Sequence, residues 1–212
     1  MNRARGSILT RLRAKGGVRN TLRIVVQFVG VRVFSVLYSA WLRAYGVRLE
    51  GRVNFTGPIR ILGDPRRITI GAGSWLHRGV TLWTHDYGPG YGRITIGQRV
   101  TLLTNVQLNS YASITVADDT AFGDGCYVQD NDHGTEPGVP IMQQPQVSAP
   151  ITIGRDVWFG ARCVVLKGVT VGDGTVIGAG SVVVKSLPAG QVAVGVPARV
   201  VKSRGDASQH AA

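Results

Sequence analysis

Cysteine is nearly absent: with two among 212 residues the chain cannot build a disulfide framework, and Cys126 and Cys163 show neither a CxxC pair nor Cys/His ligand spacing. Reduced thiols in a cytoplasmic setting are the expectation. Long apolar runs are missing too. Over residues 20–46 Arg23, Arg32 and Arg43 interrupt every candidate stretch of membrane-spanning length, which argues against a transmembrane helix. The signal-peptide order of short basic start, apolar stretch and small-residue cleavage site does not occur either, so secretion is not expected. Proline is scarce beside glycine, 9 against 29, and no tract is low in complexity; a repeated tight corner accounts for this better than disorder does. Finally, Asp and Glu are missing from residues 1–48, which hold ten of the 24 Lys and Arg. The remainder carries 14 basic against 12 acidic residues, so the net charge of +12 acts through an N-terminal arm. Nucleic acid is not the expected partner, because aromatic side chains are not interleaved with the first basic run and the body is nearly neutral.

What is present is a period. In sixes from Ile153 the chain reads ITIGRDVW, FGARCV, VLKGVT, VGDGTV, IGAGSV and VVKSLP, each later unit opened by Phe159, Val165, Val171, Ile177 or Val183. The frame also fits Ile70, Leu76 and Leu82; Ile96, Leu102 and Leu108; and Val116, Phe122 and Val128. The fifth places hold small or β-branched residues: Ser74, Val80, Val100, Val106, Ala112, Thr120, Cys126, Val157, Cys163, Val169, Thr175 and Ser181. Six matches neither the helical 3.6 nor a continuous alternating strand, so the chain must turn once per unit. Three short strands then make one triangular coil, with openers and fifth-place residues stacked inward and glycines at the corners. Each buried opener contributes roughly 1.5–3 kcal/mol before entropy is subtracted. Residues 49–69 read as an irregular first coil, with Val53 and Phe55, then Ile59 and Ile61, in alternation. Both cysteines fall at fifth places and are expected to be core residues, not nucleophiles.

Sites are expected where such regularity fails. One break is 84–93, THDYGPGYGR; the other is 134–150, GTEPGVPIMQQPQVSAP, too long and proline-rich for a corner and read as an extended loop. His133 is the last residue before that loop, at the sixth place of its unit, where a side chain meets the corner. A neutral imidazole there can accept a proton near neutral pH, which Asp130 and Asp132 would do poorly. An ordinary surface histidine in a polar turn is the competing account.

From DNDHG through VPIMQQP to PITIGRDVWFGARCVVLKGVTVGDGTVIGAGSVVVKSLPAGQVAVGVPARVVK, residues 130–202 resemble the hexapeptide-repeat acyltransferases, in particular sugar O-acetyltransferases of the galactoside and maltose type and those of bacterial colanic acid and O-antigen synthesis. The resemblance implies an all-β, left-handed parallel β-helix of about five to six triangular coils with an extended loop. It implies acetyl-CoA as co-substrate, no metal, and a homotrimer with coenzyme bound between subunits. By the same resemblance His133 is the general base in direct transfer to a hydroxyl, and Asn105 contacts the acceptor, joined by Asp132 and Trp158; Asn109 is a weaker candidate. Trp158 and Ala161 lie toward the coenzyme. Ala179, Gly180 and Ser181 leave room for its pantetheine arm, and Lys185, Arg199 and Lys202 meet its phosphates. Val184 replaces the threonine usual in the family and removes one hydroxyl.

The organisation expected is a basic, partly amphipathic helical arm over 1–48, the β-helix over 49–202 and a flexible tail over 203–212. Arg32, Ser35, Ser39 and Arg43 share one helical face while Arg23 and Gln27 lie on another, which predicts two helices or a bend near Gly30. The arm either docks on the β-helix and covers an open edge, or binds the cytoplasmic membrane surface peripherally. Rival functions are N-acetylation of an amino sugar, transfer of a longer acyl chain, a zinc hydratase of the γ-carbonic-anhydrase type using His77, His85 and His133, and a non-catalytic scaffold.

Overall fold

A computed structural model describes residues 18–86 and 91–205, with side chains from Val29 onward. The hexads fold as their spacing requires. After each two- to four-residue strand the chain turns, and three parallel sheets form the faces of a prism. The first face stacks Arg48–Glu50, Ile68–Gly71, Ile94–Ile96, Ile114–Val116, Ile151–Ile153 and Thr170–Val171. The second runs from Asn54–Phe55 through Trp75–Leu76, Thr101–Leu102, Ala121–Phe122 and Trp158–Phe159 to Val176–Ile177. The third comprises Arg60–Gly63, Thr81–Thr84, Gln107–Ser110, Tyr127–Gln129, Val164–Val165 and Val182–Val183. That makes six coils, including the irregular first one.

Register follows the openers. Ile70 lies beside Ile96, Ile96 beside Val116 and Val116 beside Ile153; on the second face Leu102, Phe122 and Phe159 stack in turn. The rings of Phe122 and Phe159 lie 4.5 Å apart and nearly parallel. All these side chains are buried, as are the fifth-place residues except the half-buried Ala112. Cys126 and Cys163 sit inside and their thiols donate to the carbonyls of Gly160 and Gly178. The neighbouring Cys163 thiol and burial together push the Cys126 thiol up, which leaves it inert.

Corners require left-handed backbone. Glycine occupies some, such as Gly79, where an added Cβ would come within 2.1 Å of Asn105 Oδ1 in the coil above. Others carry side chains: Arg99, Asn105, Asp119, Asp156 and Arg162 all have positive φ. At the far end Gln191–Gly195 and Ala198–Ser203 form an antiparallel hairpin that extends the second face; of the expected tail, residues 206–212 lie outside the described part.

One helix, α1 (Val18–Tyr45), continues unbroken through Gly30, in place of two separate helices. A glycine in mid-helix costs only about 1 kcal/mol, and tertiary contacts outweigh it. Residues 1–17 of the arm lie outside the described part. The face that docks is the one carrying Ser35 and Ser39, with Leu42 fully buried. Ser35 Oγ accepts from the Phe55 N–H (2.8 Å) and donates to the Phe55 carbonyl (3.2 Å). The Tyr38 hydroxyl does the same at Ile59, at 3.1 and 3.2 Å. The first coil has no coil beneath it, and these hydroxyls take the place of the missing backbone partners. No described helix is long and apolar enough to cross a membrane.

Candidate active site

Both interruptions of the repeat leave the prism at the same edge, between the third and first faces. The first begins at His85, after Thr81–Thr84; the second follows Tyr127–Gln129, two coils on. Residues 87–90 of the first lie outside the described part. Asp130, fully buried, pins the root of the second. Its carboxylate accepts from Ser110 Oγ (3.0 Å) and from the N–H groups of Tyr111 (2.6 Å) and Ala112 (2.9 Å). Its carbonyl accepts from Ala149 N–H at 2.9 Å, closing the far end of the loop. Burial pushes the Asp130 carboxyl up, and the N–H and hydroxyl donors pull against it.

The excursion therefore departs at Asp130, three residues earlier than the sequence break suggested. Asn131–His133 pairs antiparallel with Gln146–Ser148, His133 facing Gln146. A polar residue at the inward position ended the hexad, and a hairpin absorbed the strand signal that followed. Beyond it the Gln144 side chain ties the loop to the main chain of Glu136 and Val139. Asp132, His133, Gly134, Thr135, Glu136, Val147 and Lys167 line a cleft of about 410 Å³. Lys167, from the corner of the next coil, pairs with Asp132. The His133 ring is half-buried: Nδ1 is enclosed with no hydrogen-bond partner among the described residues, and Nε2 is the nitrogen left to meet the cleft.

Lys167, Glu136 and Val147 escaped the sequence reading. Lys167 sits at the third place of a regular unit, VLKGVT, where a solvated lysine is ordinary, and nothing in that unit signalled a role in the cleft. Asn109 gains weight. His85 Nε2 lies 2.8 Å from its Oδ1, its Nδ2 donates to Tyr127 and Gln129, and Gln129 donates to the Asn131 carbonyl. A polar chain thus links the two interruptions along the outside of the third face.

The other expected residues do not gather around His133 within one chain. Asn105 lies at the opposite edge of the third face, before Gln107–Ser110, and five residues of strand separate the two edges by about 16 Å. Ala161, Ala179, Gly180 and Ser181 stand on that same far edge, one above another. The Ser181 hydroxyl is turned inward, donating to Gly178 and accepting from Gly195 N–H, so only its main chain is available to a ligand. Trp158 is 57% exposed on the second face. Arg199 and Lys202 are exposed on the terminal hairpin, while Lys185 is exposed at the edge that carries His133, in the last coil. His77 sits at the far edge from His85 and His133, and among the described residues no three His, Cys, Asp or Glu side chains cluster as metal ligands would.

A prism of stacked hexads, interrupted by a loop beside a cleft at its edge, defines a class, the hexapeptide-repeat proteins. Comparison with known proteins agrees. The profile of the family "Bacterial transferase hexapeptide (six repeats)" matches residues 150–185, the fifth and sixth coils. The chain is 31% identical to WcaF of Escherichia coli strain K12, named for acetyl transfer in colanic acid biosynthesis, over 77% of this chain and 72% of that protein. It is 34% identical to Rv3034c of Mycobacterium tuberculosis, named as an acetyltransferase, over 73% of this chain and 51% of that one. The chain spans about half the length of several curated relatives it matches. Among solved structures, a point mutant of AntD, an N-acyltransferase from Bacillus cereus, in complex with dTDP and coenzyme A superposes with a TM-score of 0.67 at 22% identity, over 77% of this chain and 88% of that one. The chain belongs to the hexapeptide-repeat acetyltransferase family, and its fold is the left-handed parallel β-helix.

Proposed function

We propose that the protein is an acetyl-CoA-dependent O-acetyltransferase acting on a sugar hydroxyl of a surface polysaccharide, a glycolipid or a precursor of either. The observation that carries this is His133, presented on its own hairpin at a cleft with one ring nitrogen enclosed and the other accessible. Direct transfer uses the tautomer that carries its proton on Nδ1 and leaves the accessible Nε2 to accept one. The acceptor hydroxyl gives its proton to Nε2 as its oxygen attacks the thioester carbonyl. The tetrahedral oxyanion, held by main-chain N–H groups, collapses with loss of the coenzyme thiolate, and the imidazolium returns the proton to that sulfur. No acyl-enzyme forms, in keeping with the buried thiols of Cys126 and Cys163, which also fit a cytoplasmic setting.

Acceptor contacts fall to Asp132, Asn105 and Trp158, and the coenzyme to Ala161, Ala179, Gly180, the main chain of Ser181, and the cations Lys185, Arg199 and Lys202. Because these lie on different edges of one prism, a homotrimer that sets the His133 edge of one subunit against the Asn105 edge of its neighbour completes the site. The names of WcaF and its relatives support a sugar-linked acceptor. N-acylation of an amino sugar is the second reading: an imidazole base serves an amine as well, and the N-acyltransferase AntD shares the fold.

The test is product chemistry. With acetyl-CoA and a panel of glycosides and amino sugars, free thiol should appear only when a sugar is present, and the acetyl group should come off in mild alkali as an ester does. A base-stable acetyl on an amine would replace the first reading with the second; thiol release indifferent to every sugar would overturn both.

A further inference from the structure

Helix α1 is inverted relative to an ordinary surface helix. Its serines face the β-helix, and its outer arc is apolar. Val29, Val33, Val36, Leu37 and Trp41 are 53, 54, 63, 67 and 53% exposed, and Ala40 and Ala44 on the same arc are exposed too. At 100° per residue these seven positions cover about 140° of the helix with no polar residue between them, along a length of about 22 Å. Phe34, Tyr38, Trp41 and Tyr45 form a ladder of stacked rings with centroids 5.1, 5.4 and 5.3 Å apart. Its last two members are exposed. Arginines border the arc: Arg32 and Arg43 from the helix, with Arg52 closing an apolar depression of about 420 Å³ against Val33, Val36 and Leu37.

From this we infer that the arc is a docking surface for an anionic phospholipid bilayer, on which the protein lies peripherally. The inference is independent of the acyltransferase reading. An apolar arc bordered by Trp, Tyr and arginines matches the interfacial zone of a membrane, where apolar groups enter the acyl boundary and arginines meet the headgroups. A second copy of the chain fits less well. Pairing the arc with itself would set Arg32, Arg43 and Arg52 against their own counterparts, and the nearby carboxylate, Glu50, is already paired with Arg48 at 3.1 Å. The first 48 residues bring ten basic groups and no acidic one, which complements a lipid surface and opposes self-contact.

Sedimentation of the full chain with vesicles tests this. Binding is expected to vesicles of phosphatidylcholine mixed with phosphatidylglycerol, to be much weaker with phosphatidylcholine alone, and to fall with added salt. Leu37→Glu and Trp41→Ser should each weaken it about tenfold or more; the melting temperature should hold in Leu37→Glu, whose side chain faces solvent, and Leu37→Phe should keep the binding. Absence of binding to the anionic vesicles would overturn the inference. So would undiminished binding by Leu37→Glu, or a fall in oligomeric mass in that variant without any vesicle effect, which would assign the arc to a second copy.

Discussion

Replacing His133 by Ala is expected to lower the acetyl-transfer rate by about 10² to 10⁴ while coenzyme affinity survives. The two effects separate because His133 and the small-residue column of Ala161, Ala179 and Gly180 occupy different edges of the prism. An acceptor hydroxyl at neutral pH holds its proton firmly, and among the described residues no second imidazole lines the cleft, while Asp132 is engaged by Lys167. His133→Gln, which keeps polarity and approximate volume but cannot take the proton, should fall nearly as far. Steady-state rates with calorimetric coenzyme titration check this. Undiminished turnover in His133→Ala would remove the histidine from the mechanism.

A large effect on stability is expected at Asp130. Substitution by Ala strips an acceptor from three donors at once, Ser110 Oγ and the N–H groups of Tyr111 and Ala112, at a site with no water contact. Stranded buried donors cost about 1–3 kcal/mol each before relaxation. With partial relaxation the total should be about 3 kcal/mol, read as a lower denaturation midpoint. Asp130→Asn retains one acceptor oxygen and avoids burying a charge, so it should cost about 1–2 kcal/mol. Activity should fall in both variants, because the residue that holds the third and fourth coils together at this edge is also the root of the His133 hairpin. An unchanged midpoint in Asp130→Ala would show that the loop is anchored elsewhere.

The prism was legible in the sequence because each hexad carries its own instruction. An opener such as Leu102 or Phe159 and a fifth-place residue such as Val100 or Cys163 can only be buried by stacking on their counterparts one coil away. Where a residue's role depends on something outside its unit, the sequence was a poorer guide. Asp130 opens an excursion because of donors presented by Ser110, Tyr111 and Ala112, 18 to 20 residues earlier. Lys167 becomes a cleft residue only through Asp132, 35 residues before it. Periodicity put Ser35 and Ser39 on one face of α1 without showing what that face meets, and it is the open backbone of Phe55 and Ile59 that takes up the hydroxyls of Ser35 and Tyr38. Asn105 and His133 were placed in one site by resemblance, and the fold sets them on two edges, a separation that one chain's pattern of sixes does not reveal.

A crystal structure with coenzyme A and a glycoside acceptor is the most direct test of the central claim. The acceptor hydroxyl should lie within about 2.6–3.2 Å of His133 Nε2, with the coenzyme thiol beside it and a neighbouring subunit's Asn105 edge closing the cleft. A glycoside bound away from His133, with the thiol out of reach of that ring, would contradict it.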